Sequence, residues 1–120
     1  MKIYIATPVN ARKEETLEEK RLAAYYRMCE IRKQLHAKLP DAEFHSSFDE
    51  HIAPINKECL KSESMIMGEC VTEVMECDMI VLDSGYFDSK GCRVEEFVAM
   101  RYGKEVKSVY GFEIYSERHF

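Results

Sequence analysis

The stretch "DMIVLDSGYFDSKGCRVEEFVAMRYGKEVKSVYGF", residues 78–112, decides the fold. "DMIVLD" is a continuous apolar run, the kind of strand that is buried on both faces of a parallel sheet. A loop holding Ser89 and Gly91 leads into a helix, Gly103 ends that helix as its C′ glycine, and "EVKSVYGF" supplies the next strand. Strand, helix and strand in that order form a crossover unit, which places the two strands parallel in one sheet.

The rest of the chain extends this pattern. Lys2 to Ala6 reads as a first strand, broken by "TPVN". From about Ala11 to Leu39, Leu17, Ala24, Met28, Ile31 and Leu35 recur at steps of three and four, which predicts a long amphipathic helix. "AEFHSSF" (42–48) predicts a second strand, and "DEHIAPINKECLKSES" a long surface loop. Ser62 or Ser64 then caps a helix running to about Glu76, with Ile66, Val71, Val74 and Met75 turned inward. The expected fold is an α/β three-layer sandwich, flavodoxin- or Rossmann-like, with a mainly parallel sheet of four to five strands in a single domain over 1–120.

Composition narrows the function. The chain has 120 residues, 46% of them hydrophobic, which suits one core. A net charge of -5 argues against a polynucleotide partner, since such binders cluster Lys and Arg. The five cysteines are odd in number and lack CxxC spacing, so reduced thiols in a cytoplasmic protein are expected. With neither a signal peptide nor a membrane span in view, no membrane partner is expected. His45, His51 and His119 lack metal-ligand spacing, and no metal is expected from them. GxGxxG and GxxxxGK[ST] are both absent, so no dinucleotide or other cofactor is called for.

In an open parallel sheet, ligands bind beyond the carboxyl ends of the strands. Two loops qualify, "ATPVNAR" and "DSGYFDSKG". If the second opens the helix at Ser89 or Gly91, backbone N–H groups from Gly91 to Val94 could hold a phosphate or carboxylate. The same residues also serve as an ordinary N-cap and turn. On the helix, Val94, Phe97, Val98 and Arg101 cluster on one side, which places Glu95 at the border of that stripe and Glu96 in solvent.

"KIYIATPV", "ECDMIVLD" and above all "SKGCRVEEFVAMRYGK" resemble the nucleoside 2-deoxyribosyltransferase superfamily, which includes the 2'-deoxynucleoside 5'-phosphate N-hydrolases and many short uncharacterised members. Ser89, Gly91, Glu95 and Gly103-Lys104 meet the spacing of that last motif. The resemblance implies cleavage or transfer at the N-glycosidic bond of a nucleoside or nucleotide, with Glu95 attacking the anomeric carbon to form a glycosyl-enzyme. It also implies that Ser89 and Gly91 hold a 5'-phosphate, and that Tyr4, Thr7 and Pro8 line the sugar and base pocket. Asp83 and Asp88 fall where they could protonate the leaving base or hold a hydroxyl, while Asp78 enters its strand at the far end and serves structure.

Two positions depart from the superfamily pattern. Cys70 stands where its enzymes carry a sugar-binding Asp, and Asn10 where the hydrolases carry a phosphate-binding Arg, leaving Arg12 to substitute. The alternative that these departures suggest is a non-catalytic nucleotide-binding module of the same fold. Superfamily members are oligomeric, so a homodimer or larger homo-oligomer is expected, with Tyr25, Tyr26 and the "SERHF" tail as candidate contacts.

Overall fold

A computed structural model describes residues 1–115; the "SERHF" tail lies outside the described residues. Seven elements follow the expected order: β1 (Lys2–Ala6), α1 (Leu17–Lys38), β2 (Glu43–His45), α2 (Glu63–Glu76), β3 (Met79–Leu82), α3 (Lys90–Arg101) and β4 (Glu105–Ser108). The four strands form one all-parallel sheet in the order β2-β1-β3-β4. This is an α/β fold with the strand order of flavodoxin-like proteins.

Alternation along the two central strands divides the core. Ile3, Ile5, Met79 and Val81 face α1, where they pack with Ala24, Met28, Ile31 and Leu35. Tyr4, Ala6, Ile80 and Leu82 face the opposite layer, with Cys70, Val74, Cys92 and Ala99 of α2 and α3. A strand covered on both faces has no polar side to display, which is why both read as unbroken apolar runs. Each fully buried Ile or Val contributes about 1.5–3 kcal/mol relative to exposure.

Local signals set the helix ends. The Thr16 hydroxyl accepts a hydrogen bond from Glu19 N–H at 3.1 Å, so α1 starts at Leu17 rather than near Ala11, and Leu17 itself is exposed. Of the two candidate caps for α2, Ser62 is the one used: its hydroxyl accepts from Met65 N–H at 3.2 Å. Met75 points outward, not into the core. Gly103, at φ 70°, closes α3, with Lys104 N–H donating to Ala99 O at 2.8 Å and Gly103 N–H to Met100 O at 3.3 Å. The second strand is shorter than 42–48 because Asp49 accepts from Ser46 N–H and Ser46 from Phe48 N–H, folding the chain into a turn at once.

Asp78 serves the strand entrance, its carboxylate accepting from Lys2 N–H at 2.7 Å. Tyr25 packs edge-on against Phe48 of its own chain, ring centroids 5.5 Å apart, whereas Tyr26 is exposed. No helix among the described residues is long and apolar enough to cross a membrane.

Candidate functional site

The side on which strands are added reverses between β1 and β3. The first crossover leads left to β2 and the later ones lead right to β3 and β4, so the loops after β1 and β3 part at the carboxyl edge of the sheet. Thr7, Pro8, Asp83 and Gly85 stand at this crevice. Asp83 N–H donates to Ala6 O at 3.0 Å, and a Cβ on Gly85, which sits at φ 84°, would meet Pro8 Cγ at 3.9 Å. The Thr7 hydroxyl is the one buried side-chain polar atom among the described residues that lacks a hydrogen-bond partner. Leaving such a group unpaired costs about 1–3 kcal/mol, a cost that a ligand hydroxyl could relieve.

Asp83 is committed elsewhere. Its carboxylate lies 3.0 Å from Arg27 Nε and accepts from Ser84 N–H at 2.7 Å, with both partners of the ion pair almost fully buried. Burial raises its pKa, with the Arg27 guanidinium and Ser84 opposing. Asp83 therefore latches the β3 loop to α1 and is not free to hold a sugar hydroxyl, whereas Asp88 is exposed. Arg27 escaped the sequence reading, although its spacing from Ala24 and Ile31 puts a cation on the apolar face of α1.

The phosphate-binding residues expected from the sequence are only partly assembled. Ser89 is buried and caps α3, its hydroxyl accepting from Cys92 N–H at 3.2 Å while its carbonyl accepts from Arg93 N–H at 3.0 Å. Those two N–H groups are thus unavailable to an anion, contrary to the expected run from Gly91 to Val94. Gly91 looks toward α2, where an added Cβ would meet Met67 Sδ at 3.9 Å. In the first loop, the Asn10 side chain donates to Glu63 at 3.0 Å and Arg12 pairs with Glu14 at 3.0 Å, so neither is presented as a free phosphate ligand.

Glu95 is placed differently from its expected border position. The inward face of α3 is Cys92, Glu95 and Ala99, while Val94 and Phe97 are exposed, with the Arg101 guanidinium stacked over Phe97. At 6% exposure, Glu95 lies in the layer between sheet and helices beside Tyr4 of β1 and Cys70 of α2. Burial pushes its pKa up to about 7, against a hydrogen bond from the Tyr4 hydroxyl that favours the charged form. Cys70, which stands in place of a sugar-binding Asp in the resemblance, hydrogen-bonds with Tyr4. Burial, together with the charge of Glu95, raises that thiol to about 12, and Cys92 likewise, so neither is a ready nucleophile.

This arrangement predicts that Tyr4→Phe raises the Glu95 pKa above its already elevated value, because the only group favouring its carboxylate is lost. Carbon-13 NMR titration of the glutamate side chains reads that shift, and an unchanged or lower midpoint would contradict the Tyr4 contact.

A separate open cavity of about 270 Å³ lies along the long loop, walled by Ile52, Pro54, Cys59 and Leu60 with Lys57 and Lys61, and takes in none of the candidate residues. The sequence shows no metal-ligand spacing for its histidines, yet two of them meet carboxylates: His45, half-buried at the end of β2, lies among Glu43, Asp49 and Glu73, and His51 pairs with Glu73 at 3.0 Å. His119 lies outside the described residues.

No curated protein and no solved structure matches this chain. Residues 1–108 match the family model described as Domain of unknown function (DUF4406), which takes in β1 to β4 and every candidate residue above. The chain belongs to the DUF4406 family.

Proposed function

We propose that this protein cleaves or transfers at the N-glycosidic bond of a nucleoside or nucleoside monophosphate, acting in the cytoplasm, with Glu95 as nucleophile. The supporting observation is a single carboxylate, with its pKa raised to about 7, buried beside the Tyr4 phenol in the layer between the sheet and the helices. In the reaction, a Glu95 oxygen bonds to C1' as the C1'–N bond breaks. The bond pair leaves with the base, which takes a proton from water. Water or a second base then displaces Glu95 from C1'. The Tyr4 hydroxyl holds the attacking carboxylate, and the unpaired Thr7 hydroxyl meets the sugar.

The near-complete enclosure of Glu95, and the engagement of Asn10 and Arg12 within their own chain, favour a second reading: a nucleotide-binding module without catalysis. Incubation with ribo- and deoxyribonucleosides and their 5'-monophosphates, followed by chromatography of free base, separates the two. Release is expected, with a rate that climbs as pH passes through about 7 and then levels, since only ionised Glu95 attacks. Ligand binding without base release at any pH would decide for the module. In the same reading the chain is a homo-oligomer, joined through exposed Tyr26 or the Val94, Phe97 and Met100 face of α3, and light scattering should exceed the monomer mass.

A further inference from the structure

His45, at the carboxyl end of β2, is packed against carboxylates at both ring nitrogens. Its Nε2 lies 2.7 Å from Glu43 Oε2, and its Nδ1 lies 2.9 Å from Asp49 Oδ2 and 2.7 Å from Glu73 Oε1. An ionised carboxylate can only accept, so the contact with Glu43 fixes the proton on Nε2. In the neutral ring Nδ1 then keeps a lone pair, which faces two further carboxylates. A proton there serves one of them well and the other poorly. A divalent cation serves all three donors at once.

The surroundings are those of a metal ligand set. A metal-bound histidine characteristically donates its other N–H to a carboxylate, which is what Glu43 provides. Asp49 is held by Ser46 N–H at 3.2 Å through its second oxygen, and Glu73 by His51 Nε2 at 3.0 Å through its second oxygen. Each of the three donors therefore has one atom turned inward and one fixed by a neighbour. Glu73 is also a buried acid on the face of α2 that carries Cys70 and Val74, where a carboxylate without a compensating positive charge is costly.

We propose that His45 Nδ1, Asp49 and Glu73 bind a divalent first-row transition metal of the zinc class, with water completing the coordination. One imidazole and two carboxylates form a mixed nitrogen–oxygen set suited to zinc and cobalt. The three ligand atoms already lie within 4.8 Å of one another. Tetrahedral coordination with bonds of about 2.1 Å needs donors about 3.4 Å apart, so the 2.7 and 2.9 Å contacts have to open by only about half an ångström or slightly more. The bound ion ties β2, the loop after it and α2 together. Tyr4 is the partner of His45 in the sheet register and Cys70 stands one helical turn from Glu73, and both also neighbour Glu95. The proposal is independent of the glycosidic reading.

Titration of the full chain with Co²⁺ tests it without an activity assay. One equivalent should bind with visible d–d bands but no thiolate charge-transfer band, be displaced by Zn²⁺, and raise Tm by several degrees. His45→Gln and Asp49→Asn should each weaken binding by about tenfold or more, and Glu43→Gln, which loosens His45 without removing a ligand, by about 10- to 100-fold. In the unmutated chain, bound Co²⁺ should perturb the ring resonances of His45 and spare those of His36, a readout that does not depend on a variant folding. Absence of binding, a thiolate band, or selective perturbation of any other histidine would overturn the assignment.

Discussion

Glu95→Gln is expected to abolish base release and at the same time make the protein more stable than the parent at alkaline pH. The carboxylate titrates at 4.5 in the ordinary state and at about 7 in the fold, where burial penalises its charge. Between those values the folded state holds a proton that the unfolded chain has lost, so stability falls as pH rises. The contribution is fully present below 4.5, declines from there up to about 7, and is gone above it. At about 1.4 kcal/mol per pH unit, the interval from 4.5 to about 7 amounts to about 3 kcal/mol.

Glutamine keeps the shape and still accepts from the Tyr4 hydroxyl, but it never becomes charged, so its stability does not fall across that interval. Urea unfolding of both proteins at pH 4.5 and at pH 8 should show the difference widening by about 3 kcal/mol in favour of the variant, while other groups cancel in the comparison. Two parallel profiles would mean that Glu95 is not buried as an ionisable acid. Loss of the reaction together with a gain in stability is the pattern expected where a site holds a costly charge for chemistry.

Arg27→Met is expected to destabilise the fold by about 3 kcal/mol or more, because it leaves Asp83 buried at 3% exposure without its cation. Adding Asp83→Asn should recover most of that loss, since the pair is then removed together and no unpaired charge remains. A double-mutant cycle by urea denaturation measures the coupling between the two positions. A loss below about 1 kcal/mol in the single variant would place the pair among exposed ion pairs and remove the proposed latch between α1 and the β3 loop.

Tyr4, Thr7 and Glu95 were legible as candidates because the sequence carries them in recognisable segments at fixed spacing, and the fold brings Tyr4 and Glu95 into one buried layer. The direction in which Glu95 points was not legible. Val94, Phe97 and Val98 together outweigh Cys92 and Ala99 in apolar character, so periodicity favours the wrong side of α3; yet Phe97 ends up in solvent under the Arg101 guanidinium. The roles of Asp83 and Arg12 were likewise hidden, because each depends on a partner chosen by folding: Arg27 from the facing helix, and Glu14 two residues on in a loop whose shape no propensity specifies.

By itself the sequence determined the order of the elements and the parallel sheet, because continuous apolar strands, cap residues and the Gly103 stop act over a few residues and carry their signal locally. Only tertiary structure decided what each polar side chain meets. His45, Asp49 and Glu73 come from a strand end, a loop and a helix, and they converge because β2 pairs beside β1 and α2 crosses over it. Convergence of that kind is a property of packing, and the spacing of residues along the chain does not encode it.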